Sequence, residues 1–296
     1  MRTFVVVAEE LNYSRAATVL HMTQPAVSQR IMLLERELGF PLFERLPRGL
    51  RLSAPGAAFL PECRRVLEGA ERAVRLARNA VGPDSGLVRL GFAGALSAPT
   101  VSQLARDVRA CAPGIELSFV SGLTSDGVID RLTGDELDIG FTAAGRTARG
   151  IDSRVLSSDP LDLVVAWDDP FASREETRLA DMSTAPFVMI SPASGLRLRD
   201  IADQACLDAG FSPRIAQEAS DMQTVLALVA AGVGVTLLPR RLAGPASETL
   251  AFLRTKDVER RLVTIVAWQH EHVFGARNVV LDVIAGLYRS GRRPMR

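Results

Sequence analysis

Residues able to make or break bonds are few in this chain and poorly placed for it. Lys256 is the only lysine, so neither a phosphate-cradling P-loop nor a Ser-Lys pair is expected, and no GxSxG occurs. His270-Glu271-His272 brings two imidazoles together at a strand-end turn, but no further Cys or His cluster lies near them in sequence to complete a metal set. Gly232-Val233-Gly234 lacks the third glycine of a dinucleotide fingerprint and stands between a helix and a strand, the reverse of the required order. Cys63, Cys111 and Cys206 are widely spaced without a CxxC, which fits reduced thiols better than a disulfide framework or zinc. No catalytic residue, metal or cofactor is expected, and the chain does not read as an enzyme.

What the residue types offer is recognition. Val27, Ile31, Leu34 and Leu38 recur at i, i+4, i+7 and i+11, within about 60° on a helical wheel, while Pro25, Ser28, Gln29, Met32 and Arg36 point the other way. One face packs and the other is free to read something. A second set sits where predicted strands end and helices begin, the place where open α/β sheets hold ligands against helix N-termini. It comprises Ala95 and Ser97, then Thr124, Thr142, and finally Ser191, Pro192, Ser194 and Arg197.

The elements that must position these residues follow from the hydrophobic pattern. The first 50 residues read as short helices with almost no strand signal, with Ser14 as cap of the second and Thr23 as cap of the third, where Pro25 falls in the first turn and Gly39 ends it. Ala16 and Ala17 allow close approach, so helices two and three read as a helix-turn-helix. Leu42-Phe43-Glu44 and Leu50-Arg51-Leu52 flank an arginine-bearing tip as a hairpin wing. From Ala57 the chain is helical again, and Leu60, Cys63, Leu67, Ala70, Val74, Ala77 and Val81 alternate spacings of 3 and 4, a coiled-coil seam for dimerisation. An amphipathic helix packed on its own domain would show the same spacing. After Gly86, strands and helices alternate as two successive α/β lobes with mostly parallel sheets, Leu262–Trp268 and Ala276–Arg289 returning to the first lobe and leaving a cleft between the two.

Length and charge agree. At 296 residues the chain holds about two domains. Residues 1–82 carry a net charge of +4 and the remainder −3, which suggests a nucleic-acid module joined to a body of another kind. The longest uncharged apolar stretch, Val225–Leu238, has 14 residues, short of the ~18 a membrane span needs. The start MRTFVVVAEELNYSRAA does not fit a secretory signal, so a cytoplasmic protein is expected.

The stretch AEELNYSRAATVLHMTQPAVSQRIMLLERELGFPLFERLPRGLRLSAPG, residues 8–56, closely resembles the DNA-binding domain of LysR-type transcriptional regulators through SRAA, TQPAVSQRI, LE, LG, LFER and L-S-x-x-G. Weaker echoes in LVRLGF, DELDIGF and LALVAAGVGVTLLP extend the resemblance to the family's two-lobe effector domain, itself like periplasmic binding proteins. The resemblance implies a transcriptional regulator that binds an interrupted palindrome of double-stranded DNA as a dimer or tetramer, senses a small metabolite and works with RNA polymerase. It implies DNA contacts from Thr23, Gln24, Pro25, Ser28, Gln29 and Met32, with Arg48 of the wing in the minor groove or on a phosphate. Phe4 nearly starts the chain, so the first helix is expected to be short, and Ala95 stands where several aromatic-acid-responsive members have a hydroxyl residue.

The expected architecture is α/β: a winged helix-turn-helix over residues 1–53, a linker helix over 54–82, and an effector domain over 87–296 with lobe I at 87–160 and 267–296 and lobe II at 161–266. The expected function is sequence-specific DNA binding modulated by a small organic or aromatic acid. The alternative is a small-molecule binding protein whose N-terminal helices serve only assembly.

Overall fold

The computed structural model describes residues 1–46, 49–79, 85–97, 100–244, 249–270 and 275–289, so Arg48, Val81, Glu271 and His272 lie outside the described residues. The chain forms two compact units, Met1–Ala77 and Arg78–Arg296, dividing inside one long helix.

In the first unit, α1 (Arg2–Glu10), α2 (Tyr13–Val19) and α3 (Gln24–Leu38) enclose a small core of Phe4, Val7, Ala16, Ala17, Val27 and Ile31. The cap of α2 is Asn12 rather than Ser14: Asn12 Oδ1 accepts from the N–H groups of Ser14 and Arg15 at 2.9 and 3.1 Å. Both residue types are good caps, but the helix already begins at Tyr13, and the extended backbone of Asn12 puts its side-chain oxygen on the free N–H groups. Gly39, at φ 80°, ends α3 in the left-handed region. The wing is an antiparallel pair, β1 (Phe43–Leu46) and β2 (Gly49–Leu52), with Phe43 opposite Leu52.

The wing then seats the long helix α4 (Ala54–Asn79). Ser53 Oγ donates to the Pro41 carbonyl at 2.7 Å and accepts from the Gly56 N–H at 3.0 Å. A Cβ at Gly56 would collide with the Leu42 carbonyl, so only glycine lets the first turn of α4 lie there. Glu35 of α3 reaches the same spot, accepting from the Leu42 N–H at 2.7 Å. The expected dimer seam is divided as a result. Cys63 is buried in this unit's own core and Leu60 packs against it, a correction to their expected place between two chains. Leu67 is half-buried, while Ala70, Val74 and Ala77 are exposed.

The second unit contains two lobes. Lobe I has a five-stranded sheet in the order β4 (Gly114–Leu123), β3 (Ser85–Ala93), β5 (Ile139–Ala143), β13 (Arg261–Gln269), β6 (Ile151–Pro160). Helices α5 (Val101–Cys111) and α9 (Gly275–Arg289) pack on each other beside it, and α6 (Ser125–Thr133) lies on β5 and β3. Gly140 of β5 makes that approach possible, since a Cβ there would strike Val128 of α6. Phe92 and Phe141, paired in register, stack with ring centroids 4.5 Å apart.

Lobe II joins β7 (Asp162–Ala166), β8 (Glu176–Thr177), β11 (Thr236–Leu238) and β12 (Leu250–Thr255) in the order β11-β7-β12-β8. A parallel bridge between Phe187 and Val235 links these to the pair β9 (Pro186–Ile190) and β10 (Arg214–Ala219). Helices α7 (Arg197–Asp208) and α8 (Met222–Ala230) complete it.

Two expectations are corrected. The sheets are mixed rather than mostly parallel, because β13 runs antiparallel to β5 and β6, and β11 and β12 run antiparallel to β7. The expected lobe boundary between 266 and 267 falls inside β13, all of which pairs in lobe I; the return crossing lies between Thr255 and Arg261. Among the described residues no helix is long and apolar enough to cross a membrane.

The thiols make the burial pattern testable. Burial raises the pKa of Cys63 and pushes that of Cys206 up to about 12, whereas Cys111 is exposed. Since the thiolate is the reactive form, a disulfide reagent at mild alkaline pH should titrate Cys111 alone in the native protein and all three thiols after unfolding. Fast reaction of a second thiol under native conditions would contradict this packing.

Candidate functional site

Two surfaces carry the residues singled out from sequence. On α3, Val27 and Ile31 are buried, whereas Thr23, Gln24, Pro25, Gln29 and Met32 are exposed and Ser28 is partly so. Thr23 is the N-cap residue but makes no side-chain capping hydrogen bond, which leaves its hydroxyl at the open end of the helix. Met32, at 55% exposure, is a large apolar side chain beside the exposed Leu33. A helix with one packed face and a continuous free face of amide, hydroxyl and apolar groups is the chemistry needed to read base edges in a major groove.

The second surface is a cavity of about 520 Å³ between the lobes. Lobe I supplies Ala93–Leu96, Gly122–Ser125, Ala143 and Leu262; lobe II supplies Ala193, Ser194, Leu196–Leu198, Ser220–Gln223 and Leu242. Three helix N-termini meet there, each with a different electrostatic state. Thr124 caps α6, its Oγ1 accepting from the Gly127 N–H at 2.8 Å. Asp221 caps α8, accepting from the Thr224 N–H at 2.9 Å, and the Thr224 backbone and hydroxyl hold its carboxyl below the usual range, so it is ionised. The N-cap of α7 is Leu196, which has no side chain able to cap. Beside that end, Ser194 Oγ is buried without a hydrogen-bond partner, and Arg197 lines the cavity with its guanidinium 3.9 Å from Asp126. The N-terminus of α7, Arg197 and the unsatisfied Ser194 hydroxyl therefore lie within four residues of one another on a cavity wall otherwise rich in leucine, while the Arg197 guanidinium leans toward Asp126.

The lobes touch at the same place. The Ser125 N–H donates to the Gly195 carbonyl at 3.1 Å, and the Arg197 N–H to Ser125 Oγ at 3.4 Å. Gly195 stands at φ 61°, and a Cβ there would lie 2.8 Å from Thr124 Cβ. A Cβ at Gly94, φ 52°, would likewise lie 2.9 Å from Leu196 Cδ1 of the other lobe.

Of the expected cleft residues, Ala95, Thr124, Ser194 and Arg197 stand in this wall. The side chain of Ser97 lies outside the described residues. Thr142, Ser191 and Pro192 are corrected, for they do not line the cavity. Strand alternation turns Ala143 rather than Thr142 toward it, and Thr142 Oγ1 instead donates to the Ser125 carbonyl at 3.1 Å, fixing the start of α6. Ser191 is the N-cap of the short 3-10 turn Pro192–Ser194, and the chain enters the cavity wall only within that turn, at Ala193. Missed from sequence were Asp221, Met222 and Gln223, whose signal was an Asp three residues before a threonine at the head of an apolar helix. Among the described residues no group of His, Cys, Asp and Glu is arranged to hold a metal.

A family model described as LysR substrate binding domain matches residues 82–278, and one described as bacterial regulatory helix-turn-helix protein, lysR family, matches residues 1–57. The chain is 33% identical over 286 residues to the HTH-type transcriptional regulator ShiR of Corynebacterium glutamicum (strain R), covering 97% of each. It is 32% identical over 269 residues to the Hca operon transcriptional activator HcaR of Escherichia coli (strain K12), covering 91% of this chain and 90% of that one. Among solved structures, full-length CbnR complexed with its target DNA is similar at a TM-score of 0.78 and 25% identity, over 97% of both chains.

The interlobe contact can be tested by adding one methyl group. Gly195→Ala brings the left-handed backbone penalty of about 1–2 kcal/mol together with the collision at Thr124. Gly210→Ala, at φ 91° with nothing within 4 Å of the new Cβ, brings the backbone penalty alone. Urea unfolding should rank Gly195→Ala as the more destabilised; equal midpoints would remove the contact.

Proposed function

The chain belongs to the LysR family of bacterial helix-turn-helix transcriptional regulators, and from that premise we propose that it is a sequence-specific cytoplasmic regulator answering to a small organic or aromatic acid bound between its lobes. The family is one of regulators, not enzymes. The observation that carries the acid is the convergence on one cavity of the side-chain-uncapped N-terminus of α7, the buried unpartnered Ser194 Oγ and Arg197. These favour a carboxylate, while Leu96, Leu123, Leu242 and Leu262 favour an apolar body or ring behind it. The volume suits one small molecule, since such sites span ~300–1,000 Å³.

On the DNA side, Gln24, Ser28 and Gln29 read base edges, Pro25 and Met32 supply apolar contact, and Thr23 and Arg48 hold the phosphates or the adjacent minor groove. Two copies on an interrupted palindrome are joined through the exposed seam of α4, where Ala70, Val74 and Ala77 need a cover. Dimers pair into tetramers, and occupancy of the cleft changes the spacing of the DNA units and so the encounter with RNA polymerase. Occupancy shifts that equilibrium only by the effector's differential affinity for the two arrangements.

Footprinting on the DNA upstream of the chain's own gene, with and without benzoate, succinate and pyruvate, tests the reading as a whole. Protection of an interrupted palindrome that shortens or shifts with an acid is the expected result; an acid-indifferent footprint would remove the acid. Ser28→Ala with Gln29→Ala should lower operator affinity by about 1–3 kcal/mol per lost base contact and spare random DNA. Equal loss on both would leave α3 without a reading role. Val74→Asp, on a side chain 52% exposed and so clear of the unit's own core, should lower the mass seen by light scattering. Retention of the full mass would separate assembly from the seam.

A further inference from the structure

The chain passes between the lobes twice, at Pro160–Leu161 and between Thr255 and Arg261, and one short 3-10 turn of lobe II, Arg240–Leu242, carries side chains that bond to residues near both passages. Its two arginines face opposite sides of the hinge. Arg240 holds lobe II: its Nη2 donates to the Phe252 carbonyl at 2.7 Å, its Nε stands 3.5 Å from Asp162 Oδ2, and its guanidinium lies over the Phe252 ring. Arg241 reaches into lobe I. Its Nε donates to Asp159 Oδ2 at 2.6 Å, and its Nη2 donates to Ser157 Oγ at 2.8 Å and to Thr264 Oγ1 at 2.9 Å. Ser157 Oγ in turn donates to Asp159 Oδ2 at 2.8 Å, which closes the network.

The partners of Arg241 are the last residues of β6 before the first passage and the strand β13 that follows the second, so the guanidinium spans both passages from one side. Thr264 is buried, and the Arg241 and Asp159 side chains are only 23% and 20% exposed, which keeps this pair from the screening that weakens a surface ion pair. The next residue in the turn, Leu242, is buried and forms part of the cavity wall. Opposite it in the same wall is Leu262, the β13 residue in register with Asp159. The turn thus carries a piece of the cleft and the hinge clasp on adjacent residues, and at the other end of the clasp Asp159 is paired across the sheet with a cavity residue.

We propose that Arg241 is a positioning residue that sets the angle between the lobes, and that Leu242 couples this angle to what fills the cleft. The coupling rests on the reading of the cleft as the effector site; the hinge role does not. A guanidinium fork bonded to three side chains on two adjacent strands has one geometry that satisfies all three, so rotation of lobe II about the passages must break or re-form the set together.

The test uses the full-length protein in a Cys111→Ser background, with spin labels at Arg109→Cys on lobe I and Leu207→Cys on lobe II, diluted with unlabelled protein so that distances within one chain are read. Arg241→Met should shift the interlobe distance distribution to longer values and broaden it, Arg241→Lys should fall between, and Arg240→Met should keep the wild-type distribution. Asp159→Asn, which keeps shape and loses charge, should repeat the Arg241→Met shift and secures the test if that variant does not fold. A wild-type distribution in folded Arg241→Met or in Asp159→Asn would overturn the hinge role, even with a footprint that answers to an acid. A shifted distribution in protein whose footprint answers to none of the acids would uphold the hinge role and remove the effector reading.

Discussion

The cleft exists because the chain crosses between its lobes twice at one edge and nowhere else among the described residues. The two crossings are held side by side: Thr255 Oγ1, at the end of β12, donates to the Leu161 carbonyl at the start of lobe II at 2.7 Å, and both groups are buried. Two adjacent strands joined in this way resist twisting apart but permit bending, so the lobes keep one soft motion. Everything opposite the crossings, where α6 and α7 point their N-termini at each other, then becomes a space of adjustable width. The order of the strands follows from the same constraint. For β13 to re-enter lobe I beside β6, it must run antiparallel to it, and this is what turns the lobe I sheet from parallel to mixed.

The DNA-reading unit depends on a comparable constraint on a smaller scale. Ser53, Gly56 and Glu35 all converge on the backbone of Pro41, Leu42 and Phe43. The L-S-x-x-G run is thus explained without appeal to resemblance. The serine bonds both a wing carbonyl and the first turn of α4, and the glycine is the residue that leaves space for the Leu42 carbonyl. Because Leu60 and Cys63 are spent on this packing, the part of α4 left to meet another chain begins further along, where Val66 and Val74 are more than half exposed. A heptad pattern read from sequence marks one continuous stripe, but it does not say which half of the stripe faces its own domain.

That difference shows how far the sequence was legible. The free and packed faces of α3 were readable because amphipathic spacing is a local signal and the burial of Val27 and Ile31 follows it. The strands β6 and β12 were not read. β6, IDSRVLSSDP, is an edge strand with one neighbour, and its mostly half-buried and exposed residues lack the apolar run that marks a central strand. In the cleft, sequence found the strand ends but not the orientation of individual side chains. Thr142 and Ala143 differ by one position and so by the face of the sheet, and one 3-10 turn separates Ser194, which reaches the cavity, from Ser191, which does not.

The polar groups of the cleft also bear on what kind of ligand could move the lobes. Asp221 is committed to Thr224 and Thr124 to Gly127, so each spends its acceptor on its own helix and offers little that changes as the lobes move. Ser125 is different, since its N–H and its Oγ bond across to Gly195 and Arg197 of the other lobe. A ligand that competes for those two groups would weaken the closed contact, and one that accepts from Ser194 Oγ and the first turn of α7 while touching lobe I would strengthen it. Binding alone moves nothing, because a ligand with equal affinity for both lobe angles leaves their populations unchanged. A ligand able to shift the lobes therefore has to touch both of them, and the hydrogen bonds that already span the cleft here run from the Ser125 N–H to the Gly195 carbonyl and from the Arg197 N–H to Ser125 Oγ.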